Sequence, residues 1–302
     1  MEPSIPGGSS SGWEVPNPVI ELAAADDPRA GDYRTLTDAA LRRRRDLEHG
    51  MYIAESSMVV RRAVAAGHRP RSFFMAHRQL PKLVDVVSRW PEAPVYLGSE
   101  EVLEAITGFN LHRGALAAMH RPPELTAQQI MEGAQTLLVL EGITDHTNVG
   151  AIFRSAVALG VDGILLSPTC ADPLYRRSIR VSMGSVLAMP WARLPRDTSD
   201  GDWSTAAEQI RDQGFLLAAL EVTEGAISLS DHRLMGAPRV ALVLGGEGPG
   251  VSRATLARVQ QTVVIPMPGA GDGVQAESLD SLNVGAAAAV ACWELGRRPG
   301  LR

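Results

Sequence analysis

The chain has 302 residues, 45% hydrophobic and 21% charged, with a formal net charge of −5. This is the profile of a globular protein of about two domains, and the acidic balance argues against a protein that coats nucleic acid non-specifically. The two cysteines, Cys170 and Cys292, form no CxxC pair, and no apolar run approaches the roughly 20 residues of a membrane span, so neither a disulfide framework, a metal site nor a membrane contact is expected. A reducing cytosol is the natural compartment.

The opening stretch "MEPSIPGGSSSGWEVPNP" lacks a basic start followed by an apolar run, and residues 1–19 read as a disordered leader rather than a secretory signal. Between Leu41 and Lys82 nine arginines and one lysine face three acids (Asp46, Glu48, Glu55), a local excess of 10 − 3 = +7. Such a basic lobe on an acidic body is either a solvated surface or a device for capturing a polyanion. "MYIAES" predicts a strand and "SMVVRRAVAAG" a helix closed by Gly67; "RSFFMA" is a strand, followed by a helix from about Pro81 to Trp90. "APVYLG" and "GALAAMH" are strands flanking the helix "EEVLEAITG", which makes residues 20–120 a small α/β domain. The Pro-rich "HRPPELT" marks a linker, taken as residues 121–132.

In residues 133–302 the strands become continuous apolar runs: "TLLVLEG", "DGILLSP", "FLLAALEV", "VALVLGG" and "TVVIPM". Helices are expected at 148–160, 202–213, 252–259 and 281–295. This pattern is that of a parallel sheet covered on both faces, whose ligands sit at the carboxyl ends of the strands. Three glycine-bearing turns fall at such ends: "EGITDHTNVG", "LGGEGPGVS" and "PMPGAGDGV".

Within "DHTNVGAIFRSA", Asn148 reads as a helix N-cap. Arg154 lies among Val149, Ile152, Phe153 and Val157 on a helix built for burial, where a guanidinium needs a carboxylate, a phosphate or a task. Glu247, alone among the glycines of "LGGEGPGVS", is either a solvated loop acid or that partner. In "ESLDSLNVGAAAAVACWE", Asp280 or Ser281 would cap an alanine-rich helix, with Asn283 exposed in its first turn. "RRSIRVSMGSVLAMP" reads as a basic surface helix or as a nucleic-acid contact.

Asn148, Arg154, "GGEGPGVS", "VIPM" and "SLNV", in this order, resemble the three motifs of the SpoU (TrmH-like) branch of the SPOUT RNA methyltransferases. "DPRAGDYRTLTDAALRRRRDLEHGMYIAES" and "VVRRAVAAG" resemble that family's substrate-binding domain, which is similar to an RNA-binding ribosomal-protein fold. The resemblance runs from about Ile20 to Leu295.

It implies an α/β methyltransferase domain with a deep trefoil knot, S-adenosylmethionine as cofactor, a homodimer, and methyl transfer to a ribose 2′-hydroxyl, of rRNA in preference to tRNA. It places Arg154, Asn148, Glu247, Ser281 and Asn283 in catalysis. The adenosine cradle falls to Leu244, Gly245, Gly246, Gly248, Ile265, Met267 and Leu282. RNA contacts fall to Arg42, Arg43, Arg44, Arg45, Arg61, Arg62 and Arg180. Arg154 would bind the adjacent phosphate and stabilise developing alkoxide charge, because a guanidinium stays protonated; the family's proposal of this arginine as general base stays open beside it.

The chain departs from the family pattern in three places. "PGAGDGVQAESLD" is inserted before "SLNV", Gly285 stands where many members carry serine, and His146 replaces the proline common in the first motif. His146 is expected to face solvent. The competing readings are a catalytically inactive RNA-binding or ribosome-assembly factor, a tRNA-directed enzyme, and a nucleotide-binding oxidoreductase. The last would need a GxGxxG after the first strand of the large domain, which "EGITDHTNVG" does not provide.

Overall fold

The computed structural model describes residues 15–38, 46–111, 114–197, 203–267 and 282–299. The chain divides into two compact units, Met1–Arg121 and Pro122–Arg302.

The first unit holds strands β1 (Val19–Leu22), β2 (Met51–Glu55), β3 (Pro70–Ala76), β4 (Val95–Gly98) and β5 (Ala115–His120), with helices α1 (Ser57–Ala65), α2 (Val84–Val87) and α3 (Glu100–Thr107). The sheet order is β1-β4-β3-β5-β2, parallel across the first three strands and antiparallel across the last three. Strands β2, β3 and β5 are almost wholly buried, whereas β1 at the sheet edge is largely exposed. Tyr33 is buried where β3 shifts register against β5 between Pro70 and Ser72. Its hydroxyl accepts the Ala118 N–H at 3.0 Å and lies 2.7 Å from Ser72 Oγ, so the bulge leaves no stranded amide there.

Three boundaries differ from expectation. Asn17, inside the expected leader, is buried and donates to the carbonyls of Val87, Trp90 and Ala93, and β1 begins at Val19. The helix expected from Pro81 to Trp90 is a 3-10 turn (His77–Lys82) followed by the single-turn α2, because Pro81 cannot donate to a helix ladder. Within the expected linker, Thr126 caps a short helix α4 (Ala127–Met131) by a capping box, and Ile130 and Met131 enter the core of the second unit.

The second unit contains β6 (Thr136–Glu141), α5 (His146–Ala158), β7 (Gly163–Leu166), α6 (Arg176–Val181), β8 (Trp191–Arg193), α7 (Ser204–Asp212), β9 (Leu216–Leu220), β10 (Ile227–Ser228), α8 (His232–Met235), β11 (Val240–Gly245), α9 (Arg253–Leu256), β12 (Gln261–Val264) and α10 (Val284–Leu295). Its sheet runs β10-β12-β9-β11-β6-β7-β8, every pairing parallel. The strands therefore end on one edge, and β12, β9, β11 and β6 are neighbours there. One face is sealed by a cluster including Ile130, Trp203, Ile210 and Phe215.

Helices α5 and α10 run side by side in the same direction. Asn148 meets Asn283 at their starts, and at their ends a Cβ on Gly296 would lie 3.2 Å from Leu159 O. The two helices pack closely at Gly285: a Cβ there would meet Ala151 Cβ at 3.2 Å and Asn283 Oδ1 at 3.1 Å, so a larger residue needs a shift of a few tenths of an ångström. Buried Arg298 clamps the end of α10 onto the sheet, donating to the Gln135 and Ala237 carbonyls and to Thr136 Oγ1; desolvation lowers its pKa. The path of residues 268–281, on which the expected knot depends, lies outside the described residues.

Candidate active site

A cavity of about 490 Å³ opens at the carboxyl ends of β9, β11 and β12. Leu220, Glu221 and Val222 leave β9, the Leu244–Gly250 turn leaves β11, Ile265 and Met267 follow β12, and Asn283, Val284 and Ala287 open α10. Leu244, Gly245, Gly246, Gly248, Ile265, Met267 and Leu282, the residues singled out for an adenosine cradle, all line it. Glu221 and Val222 were not anticipated, because a carboxylate beyond a strand end looks like an ordinary turn residue until the neighbouring strands are known.

The glycine turn is folded tightly on itself. A Cβ on Gly245 would lie 2.2 Å from the Gly250 carbonyl carbon, and one on Gly246 would lie 2.6 Å from Gly142 O. Gly248 and Gly250 have φ of +93° and +64°. Two carboxylates brace the exit of this turn. Glu221 Oε2 accepts the Val251 N–H at 2.8 Å. Glu141, at the end of β6, accepts Ser252 Oγ at 2.8 Å, Thr255 Oγ1 at 2.7 Å and the indole N–H of Trp203 at 3.0 Å.

Three of the expected catalytic residues come together. Asn283 Nδ2 donates to Asn148 Oδ1 at 3.0 Å and to Glu247 Oε1. The capping assignments shift. Asp145, not Asn148, is the N-cap of α5, accepting the Thr147 and Asn148 amides at 2.6 and 3.1 Å. Burial alone would raise the Asp145 carboxyl, but those N–H groups, the Thr147 side chain and nearby Arg177 together hold it below its ordinary value. Asn148, freed from capping, is buried in the first turn with its amide aimed at Asn283. Asn283 itself caps α10, accepting the Gly285 N–H at 2.9 Å. One side chain thus fixes the helix start and joins two motifs. Ser281 lies outside the described residues.

Arg154 corrects the expectation of a buried guanidinium. It is exposed on α5, together with Val157, and makes no hydrogen bond or ion pair among the described residues; Glu247 serves Asn283 instead. The apolar residues around Arg154 in sequence divide between two helix faces, so Ile152 and Phe153 are buried while Arg154 and Val157 are not. His146 is also not free in solvent: it is half-buried, with its ring 4.3 Å from that of Tyr175.

Of the expected RNA contacts, Arg42, Arg43, Arg44 and Arg45 lie outside the described residues. Arg61 is exposed but engaged, bonding Asp85 at 2.5 Å and the Lys82 carbonyl. Arg62 and Arg180 are exposed on α1 and α6.

The profile of the SpoU rRNA Methylase family matches residues 135–293, more than half of the chain. An uncharacterized tRNA/rRNA methyltransferase of Mycobacterium bovis is 40% identical over 92% of this chain and 92% of its own. A 23S rRNA (guanosine-2′-O-)-methyltransferase of Haemophilus ducreyi is 30% identical over 73% of this chain and 85% of its own. Among solved structures, an AdoMet-bound rRNA methyltransferase of Sinorhizobium meliloti superposes with a TM-score of 0.74 at 23% identity, covering 94% of this chain and 99% of that one. The SpoU methyltransferase AviRb of Streptomyces viridochromogenes, in complex with AdoMet, gives 0.71 at 22% identity, covering 90% and 98%. These two likenesses establish the SPOUT-type α/β fold. The chain belongs to the SpoU rRNA methylase family, and its class is that of the RNA methyltransferases.

Proposed function

We propose that this protein transfers a methyl group from S-adenosylmethionine to a ribose 2′-hydroxyl of rRNA. The observation that carries the reading is the junction of Asn148 with Glu247 and Asn283, the last two on the wall of the strand-end cavity. Support for ribose chemistry on rRNA comes from the Haemophilus ducreyi relative, whose name specifies guanosine-2′-O methylation of 23S rRNA.

The cavity suits the cofactor. Its volume falls in the range of roughly 300–1,000 Å³ typical of ligand sites. Its walls are aliphatic beside glycine backbone that offers N–H and C=O groups, and its two carboxylates favour a cationic ligand. When bound, S-adenosylmethionine supplies a methyl already activated on a sulfonium. What remains for the protein is to align the ribose oxygen and manage its proton. Asn148 and Asn283 hold the polar wall by which a ribose is oriented, and Glu247 fixes Asn283. Arg154 neutralises the adjacent phosphate and the charge developing on the 2′-oxygen, while the proton passes to a phosphate oxygen or water.

The exposed face of the paired helices supports a homodimer. Val157 on α5 is 40% exposed, and Val290 and Trp293 on α10 are 40% and 60% exposed. The parallel run of the two helices sets these side chains at matching levels, and one helical turn separates Arg154 from Val157 on the same face. A second copy seated there shields the apolar patch and brings Arg154 to the subunit boundary.

The test is incubation with methyl-labelled S-adenosylmethionine and unmodified rRNA, free and in ribosomal particles, followed by digestion to nucleosides. Label in a 2′-O-methylnucleoside is the expected result. Label confined to base-methylated nucleosides, or none with any RNA, refutes the reading.

A further inference from the structure

We infer that Glu221 is the residue that holds the ribose diol of the methyl donor's adenosine, an assignment that rests on the cofactor reading above. Among the described residues the polar side chains on the cavity wall are Glu221, Glu247 and Asn283; the others are aliphatic, with Met267. Asn283 is committed to Asn148 and to Glu247, and Glu247 is an exposed residue of the glycine turn, whereas Glu221 is half-buried at a strand end. Glu221 is committed at one oxygen, which accepts the Val251 N–H at 2.8 Å. Its Oε1 accepts no bond among the described residues and stays accessible on a half-buried residue of the cavity wall. An accessible carboxylate oxygen at that position is open to a donor from the ligand.

Position narrows which part of the ligand supplies it. Leu220 pairs with Leu244 of β11 on one side and Val263 of β12 on the other, so Glu221 follows midway between the two strand ends that frame the cavity. It is held there: a Cβ on Gly250 would lie 2.4 Å from Glu221 Oε2, so the left-handed glycine turn leaves room for this carboxylate and for nothing larger beside it. An adenine edge needs a donor and an acceptor together, which strand-end amides and carbonyls supply, whereas two vicinal hydroxyls can both donate and are held most strongly by a charged acceptor. In dinucleotide-binding α/β folds a carboxylate near a neighbouring strand end meets a ribose hydroxyl in this way.

The experiment measures binding of S-adenosylhomocysteine and of its 2′-deoxy and 3′-deoxy forms by calorimetry, for the full-length protein, E221A and E221Q. The wild type should bind at least one deoxy form about tenfold more weakly than the parent, the scale of one charge-assisted hydrogen bond. E221A should lose about tenfold for the parent and show no further loss with the deoxy forms. E221Q retains an acceptor for Val251 and guards against a collapsed turn; its discrimination should fall several-fold. A merely structural Glu221 would weaken all three ligands equally and leave the discrimination intact, which overturns the assignment. Unchanged diol discrimination in E221Q, with a reduced preference for S-adenosylmethionine over S-adenosylhomocysteine, would place the carboxylate against the sulfonium and overturn it too. A wild type that binds none of the three overturns the cofactor reading itself, and the assignment falls with it.

Discussion

Glu141 ties the end of β6 to Trp203 and to the start of α9, and so holds the exit of the glycine turn that lines the cavity. Replacing it with alanine strands the indole N–H of Trp203, a residue 2% exposed. An unsatisfied buried donor costs about 1–3 kcal/mol. Buried Thr255 loses its acceptor at 2.7 Å, a further cost of roughly 1 kcal/mol, while exposed Ser252 adds a few tenths at most. The sum is about 3 kcal/mol, with no cancelling gain, since the vacated space borders the apolar cluster around Trp203. For a unit of this size that corresponds to a fall of roughly 6–12 °C in the melting temperature. Scanning calorimetry of the full chain should show the loss in one transition, assignable to the second unit by following bound S-adenosylhomocysteine. E141Q keeps one acceptor oxygen and should lose about half as much. In a double-mutant cycle with W203F, the coupling should be about 1–2 kcal/mol. A loss below about 1 kcal/mol in E141A, or no coupling to Trp203, would refute the view that this carboxylate anchors the turn.

Arg154→Ala should lower methyl transfer by at least a hundredfold while leaving S-adenosylhomocysteine affinity within about twofold, because the side chain lies outside the cavity wall; unchanged turnover would remove it from the mechanism. Trp293→Asp should shift the protein from dimer to monomer in sedimentation velocity at micromolar concentration, and a wild-type monomer would contradict the dimer outright. Burial pushes the Cys292 thiol up to about 12 and raises that of Cys170 as well. Neither should react with a disulfide reagent at pH 8 until the protein is unfolded. The folded thiol of Cys292 holds its proton more tightly than the unfolded one. Its contribution to stability is therefore complete below the ordinary thiol value of roughly 8.5 and is lost as the pH rises through the folded value. C292A should flatten that alkaline decline, and an identical decline in C292A would exclude the thiol as its source.

Much of the second unit was legible in one dimension. Its five apolar runs became β6, β7, β9, β11 and β12, since strands buried on both faces need no alternation and announce themselves as unbroken aliphatic stretches. The short strands β8 and β10, of three and two residues, carry too few side chains for any period to register. The helix caps were not legible in this way. "DHTN" and "SLN" each offer several side chains able to cap, and the choice among them depends on what the losers contact elsewhere. Asp145 caps because Asn148 is drawn to Asn283, 135 residues away.

The sequence by itself determined the class of fold, the family and the glycine turn and flanking motif residues of the cavity wall, because strand periodicity, glycine spacing and motif order are local properties of the chain. Tertiary structure alone decided how those residues are used. It parted Arg154 from Glu247 by turning the arginine to the outer face of α5, and it gave Glu247 to Asn283. It placed Glu221 on the cavity wall by setting β9 between β11 and β12. These outcomes follow from which strands pair and which helices cross, and such long-range contacts leave no trace in the neighbourhood of either partner.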